Sequence, residues 1–273
     1  MRRTGFVLFA LVALLAVTFA PAFAVTDGVP DGNGHPYVML LLMDVDDAPA
    51  YRCSGTLIAP QVFLTAGHCA GEPGEFSGMR VFTESDVQNG NNTYPDGGGP
   101  NSVEAIAWAA HPSYTSAQFF LHDVGVVILA TPIVLPEYGK LPAVNKLDAM
   151  KTQRGKQDVA FTAVGYGLQK SFPDAAAWKE SRLKIRMVAY PRLIQINGGI
   201  VGNFSLLLSN NANTGGTCFG DSGGPNFIGT SNVIGGVTSF GMNGTCGGTG
   251  GVFRVDRQDV QTFIHDFVAA NLH

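Results

Sequence analysis

Residues 217–225 read TCFGDSGGP and set Ser222 in a glycine-rich turn. Ser, Asp and Gly are ordinary turn residues, so this stretch alone suits a surface loop as well as a nucleophile. A serine hydroxyl attacks a carbonyl only when a base removes its proton. Imidazole suits that task because its reference pKa of about 6.5 lets it take and return a proton at neutral pH. A carboxylate must then fix the imidazole tautomer and stabilise the protonated ring. Among six histidines, His68 has the most favourable setting: it lies in LTAGHC, straight after an apolar run and beside Cys69. For the carboxylate, HDVGVVILA sets Asp123 at the head of a strongly apolar segment. Taken singly, each residue reads as a turn or strand-edge residue. Together they are the parts that covalent acyl transfer needs.

Those parts must be held by a framework. At 273 residues the chain can bury one large core or two modest ones. Its 35 glycines, 15 prolines and 14% charged residues describe many turns joining short apolar runs, the pattern of an all-β sandwich or barrel. The clearest predicted strands lie in YVMLLLM (37–43), GTLIAPQVFLTAG (55–67), SVEAIAWAAH (102–111), VGVVILA (124–130), DVAFTAVGYG (158–167), RLKIRMVAY (182–190), NFSLLLS (203–209), NVIGGVTSFG (232–241) and GGVFRVD (250–256). QNGNNTYPDGGGPN (88–101) has almost no apolar content and reads as an exposed loop, with no EF-hand spacing. Near the end, Val260, Phe263, Ile264, Phe267 and Val268 recur at helical spacing, which predicts one amphipathic helix packed on the second half.

The first 24 residues differ from the rest. A basic MRR, the apolar run FVLFALVALLAVTF and a closing AFA form a secretory signal with cleavage after Ala24. The run is shorter than the ~20 residues of a spanning helix, and no later stretch is apolar enough to cross a bilayer. The mature chain is therefore expected to be secreted or periplasmic, free of the membrane and monomeric. A net charge of -4 provides no basic patch for nucleic acid. In an oxidising compartment the four cysteines imply disulfides, with three connectivities open. Two local bridges, Cys53–Cys69 and Cys218–Cys246, would each close a modest loop and add roughly 3 kcal/mol. Zinc is the competing use, but no C-x-x-C pair is present.

LTAGHC, DVGVVIL and GDSGGP, in that order, closely resemble the chymotrypsin (trypsin-like) serine peptidase family. CSGTLIAPQVFLTAGHC (53–69), HPSY (111–114), AVGYG (163–167), CFGDSGGP (218–225) and SFG (239–241) fall in family order, so the resemblance spans about Val25 to Leu272. It implies two packed antiparallel β-barrels with a C-terminal α-helix, divided as residues 25–140 and 141–273 after the signal at 1–24. It implies a serine endopeptidase acting on protein or peptide substrates without a metal or organic cofactor. It makes Ser222 the nucleophile, His68 the base and then acid, and Asp123 the residue that orients His68. Backbone N–H groups of Gly220 and Ser222 would form the oxyanion hole, and Ser239, Phe240 and Gly241 a strand edge for extended substrate. The two local disulfides also agree with the family's pairing.

The resemblance further puts Gly216 at the base of the primary pocket, followed by Thr217, with Gly241 and Gly251 on its walls. With no carboxylate there, a Lys or Arg side chain would be buried unpaired, which is expensive. A roomy, uncharged pocket predicts Phe, Tyr, Leu or Met before the scissile bond. Phe240 stands where the family usually has Trp, and Thr238 stands where a glutamate-selective pocket would carry histidine. VTDGVP from residue 25 resembles the family's IVGG start only loosely. Cleavage after Ala24 would itself free the Val25 amine to pair with Asp221, with no zymogen stage. Two other functions share these parts: a secreted binding protein that has lost catalysis, and an esterase.

Overall fold

The computed structural model describes residues 25–150, 158–169 and 183–272. The proposed signal at 1–24 lies outside the described residues.

The chain starts with a two-residue strand β1 (Val29–Pro30) and then enters the first barrel. Strand β2 (Val38–Val45) is apolar from Val38 to Met43 and buried except at its last residue, with the buried Asp44 accepting from Arg80 at 2.9 Å. Asp46 and Asp47 turn the chain with φ of 51° and 61°, so β3 (Ala48–Ala59) returns through a two-residue hairpin. Both central residues at positive φ define the turn type whose twist matches the strands, and Asp tolerates that conformation. After β4 (Val62–Thr65) come β5 (Gly78–Phe82), β6 (Ser102–Ala110) and β7 (Gly125–Leu129). The six close in the order β2-β3-β4-β7-β6-β5, leaving no free edge.

The second body holds β8 (Phe161–Gly165), β9 (Met187–Ala189), β10 (Leu193–Ile196), β11 (Ser205–Asn210), β12 (Pro225–Ile228), β13 (Ile234–Gly241) and β14 (Gly248–Arg254). Its eight-stranded sheet runs β1-β9-β8-β12-β13-β14-β11-β10, so the N-terminal strand crosses over to join the C-terminal half. The predicted all-β, two-barrel class with a terminal helix is the observed one, with one barrel closed and the other a half-barrel. Helix α2 (Gln258–Asn271) buries Val260 and Ile264, but it packs against β7 of the first barrel. This corrects its expected place on the second half. Periodicity identifies the buried face of a helix and not the body that covers it.

Between the halves, Arg186 is almost fully buried and donates to Asp31 Oδ2 (2.8 Å), Gly32 O (2.7 Å) and Val38 O (2.9 Å). Tyr166 Oη donates to Glu84 O at 2.7 Å. These bonds join the second sheet to the first barrel along the cleft between them. A buried guanidinium is tolerated only when its donors are satisfied in this way.

Candidate active site

Helix α1 (Gly67–Ala70) is a single turn directly after β4, and it carries His68 into the cleft. Gly67 cannot be larger: a Cβ there would lie 2.9 Å from the Tyr114 ring, 3.1 Å from Val124 N and 3.2 Å from Asp123 Oδ1. Cys69 is bonded to Cys53 on β3, which ties this turn to the barrel wall. Asp123 is fully buried just before β7. Its Oδ1 accepts from His68 N at 2.9 Å, and His68 Nδ1 stands 3.1 and 3.0 Å from its two oxygens. Ser239 Oγ donates to Asp123 Oδ2 at 2.5 Å. With Nδ1–H given to the carboxylate, Nε2 is left with its lone pair for a proton. Burial lowers the affinity of His68 for a proton, but the Asp123 charge and hydrogen bond, helped by Glu75, outweigh it and hold the imidazole above its ordinary pKa.

Ser222 sits in a loop shaped by its neighbours' backbone. Gly220 and Gly223 adopt φ of +96° and +76°, which favour glycine, and a Cβ on Gly223 would lie 2.0 Å from Thr65 Oγ1. Asp221 is fully buried and accepts from Gly167 N (2.7 Å) and Cys218 N (2.9 Å). Burial pushes its carboxyl up to about 7, against the pull of those two N–H groups and the Arg52 charge. Ser54 N donates to Ser222 O at 2.8 Å, and Ser54 Oγ donates to Gly220 O at 2.9 Å. Among the described residues the N–H groups of Gly220 and Ser222 have no acceptor, so both remain available as donors. Val25 is buried beside Ala163, Met187 and Ala189, and Thr26 accepts from Gly216 N at 3.0 Å.

His68, Gly220 and Ser222 line one cleft of about 660 Å³, together with Thr217, Ser239, Phe240 and Gly241. Gly216 and Gly251 do not line it. The Asn210 side chain takes the space beside Gly216, where a Cβ would be 2.3 Å from its Cγ, and the Phe240 ring lies as close to Gly251. Asn210 is held there by bonds from Thr26 Oγ1 (2.5 Å) and to Thr217 O (2.8 Å). Thr238 also lines the cleft, with Oγ1 accepting from buried Asn226 at 3.0 Å. Neither glycine therefore opens space into the cleft, whose wall on this side is made by Thr217, Thr238 and the Phe240 ring. Ser54, Asn210 and Asn226 escaped the sequence reading because each acts through residues remote in the chain. Only Ser54, next to Cys53, stood in a segment already singled out.

Cys53, His68 and Cys69 also lie close enough together to suggest a metal site. Both sulfurs are in a disulfide, so neither is a thiolate ligand. The second bridge, Cys218–Cys246, packs with Leu168 beside the Ser222 loop.

Fold and cleft together define a two-barrel serine endopeptidase. The trypsin family model matches residues 28–264, and the chain belongs to that family. It is 28% identical to a brachyurin of Leptuca pugilator over 78% of this chain and 84% of the relative. It is 27% identical to a trypsin of Simulium vittatum over 86% and 92% of the two chains. The solved structure of HL collagenase has the same fold, with a TM-score of 0.65 over 90% of this chain and 97% of that one, at 21% identity.

Proposed function

We propose that the chain is an exported endopeptidase that cuts peptide bonds through an acyl-enzyme formed on Ser222. His68 takes the Ser222 proton through Nε2 and returns it to the leaving amine. Asp123 holds His68 in the required tautomer and stabilises the imidazolium. The N–H groups of Gly220 and Ser222 receive the developing oxyanion, each such donor being worth about 3–4 kcal/mol to the transition state. The observation that carries this reading is the buried Asp123, bonded to both His68 Nδ1 and Ser239 Oγ at the edge of the cleft that holds Ser222.

Ser239, Phe240 and Gly241 pair with extended substrate backbone, and a large apolar side chain enters the pocket near Thr217 and Thr238. Among the described residues no carboxylate lines the cleft beside Thr217 and Thr238, which disfavours Lys and Arg. Cleavage after Ala24 frees the Val25 amine to pair with Asp221. The buried Asp221 carboxyl, raised to about 7, is the group that such a cation would relieve. Cleavage sites mapped by mass spectrometry on an unfolded protein test the proposal. Cuts after Phe, Tyr, Leu or Met that vanish in Ser222→Ala are expected. Ester hydrolysis without peptide cleavage would replace the proposal with the esterase reading, and neither activity would leave a binding protein.

A further inference from the structure

Two histidines on the segment that delivers Asp123 have no part in the peptidase reading. His111 follows β6, and His122 directly precedes Asp123. A bond from His111 N to Val124 O (2.8 Å) brings the two ends of the intervening loop together. Their imidazoles stack with centroids 4.8 Å apart and planes 17° from parallel. Asp259, in the first turn of α2, places Oδ2 3.6 Å from His122 Nδ1 and 4.0 Å from His111 Nε2. One ligand atom from each residue lies within 4.8 Å of the others.

His122 Nδ1 is buried and makes no hydrogen bond among the described residues. Buried polar atoms are almost always paired, so one that is not calls for an explanation. His122 also holds a φ of 55°, a left-handed conformation uncommon outside glycine. His111 is buried and its Nδ1 accepts from Ser113 N at 3.1 Å, so the ring has an unprotonated nitrogen.

We infer that His111, His122 and Asp259 form a binding site for a divalent transition-metal ion of the zinc type, placed behind the catalytic carboxylate. Two imidazoles and a carboxylate suit zinc, whereas calcium and magnesium take oxygen ligands. Water completes a tetrahedral set. The three atoms stand wider than a closed site with ligand bonds of about 2.0–2.2 Å, so the ion draws the rings and the first turn of α2 inward. At His111 the ring proton moves from Nε2 to Nδ1, and the bond that Nδ1 accepts from Ser113 N (3.1 Å) is given up. His122 is joined by one peptide bond to Asp123, so closure shifts the carboxylate that orients His68. Zinc therefore slows the enzyme without entering the cleft. That coupling rests on the proposed triad; the binding does not.

Calorimetric titration of the Ser222→Ala protein with zinc chloride separates the two. One ion per chain is expected, with affinity lower by about tenfold or more in Asp259→Asn and in His111→Gln. Asp259 is half-exposed, so its variant tests the site without disturbing the core. In the active enzyme, zinc should lower kcat, chelator should restore it, and Asp259→Asn should keep basal activity while losing the inhibition. Unchanged affinity in both variants, or binding lost in His68→Ala instead, would overturn the inference by placing the ion at His68. Zinc bound as expected to a chain without peptidase activity would uphold the site and defeat only the proposed triad.

Discussion

Replacing Ser54 with alanine tests how the oxyanion donors are held. Ser54 is fully buried; its Oγ donates to Gly220 O and accepts from Tyr166 N, each at 2.9 Å. The alanine variant leaves Tyr166 N–H buried without an acceptor, a loss of about 1–3 kcal/mol in stability. For a chain of this size that lowers the melting temperature by roughly 5 °C. Gly220 keeps its N–H but loses the bond that pins its own carbonyl. Outright loss of an oxyanion donor costs about 3–4 kcal/mol, and a donor that is present but loosely held should cost less. We expect kcat to fall about tenfold, or ~1.4 kcal/mol, with KM changed less than about twofold because the donor acts mainly on the transition state. Initial rates on a peptide amide with Phe before the scissile bond, paired with calorimetric melting, measure both effects. A lowered melting temperature with unchanged kcat would refute the reasoning and reduce Ser54 to a packing residue.

Three further outcomes follow from the same geometry. Asp123→Asn should lower kcat by about 10⁴ with the fold intact; a loss of only a few-fold would make Asp123 a turn residue. His68 must be neutral to act as base, so activity is present above its raised pKa and lost as pH falls through it. In Asp123→Asn the raising charge is gone, and the acid limb of the residual kcat/KM profile should move to lower pH. If the Val25 amine pairs with Asp221, a chain that retains residues before Val25 should be at least ~100-fold less active, by the cost of a buried charge without a partner. The paired amine has its pKa raised above the usual ~7.7–8.0, so activity should decline as pH climbs through that raised value. A fully active chain with another N-terminus would contradict the pairing.

Long apolar runs such as VMLLLM and GVVIL were legible as strands because burial on both faces leaves an unbroken hydrophobic signature. The short strands β5, β10 and β12 were not, since four or five residues beginning with Gly or Pro, or broken by Gln195, carry too little pattern. The strand β1 pairs with β9, a partner more than 150 residues away, and no local pattern announces such an edge. In the site, the order of His68, Asp123 and Ser222 was readable because each lies in a distinctive segment. The pocket was less so. Gly216 and Gly251 lack side chains, but emptiness at one residue does not show what a neighbour puts there, and Asn210 and Phe240 fill both spaces. Thr26 reaches Asn210 across 184 positions, a contact that only the fold creates.

The central claim is that Ser222 is an activated nucleophile. The direct measurement is the intact mass of the wild-type chain, expressed from Met1, before and after a fluorophosphonate, with Ser222→Ala alongside. One adduct on the wild type and none on the variant, on a chain starting at Val25, is the predicted result. An unmodified wild-type chain starting at Val25 would contradict the claim and leave a binding protein on a peptidase fold.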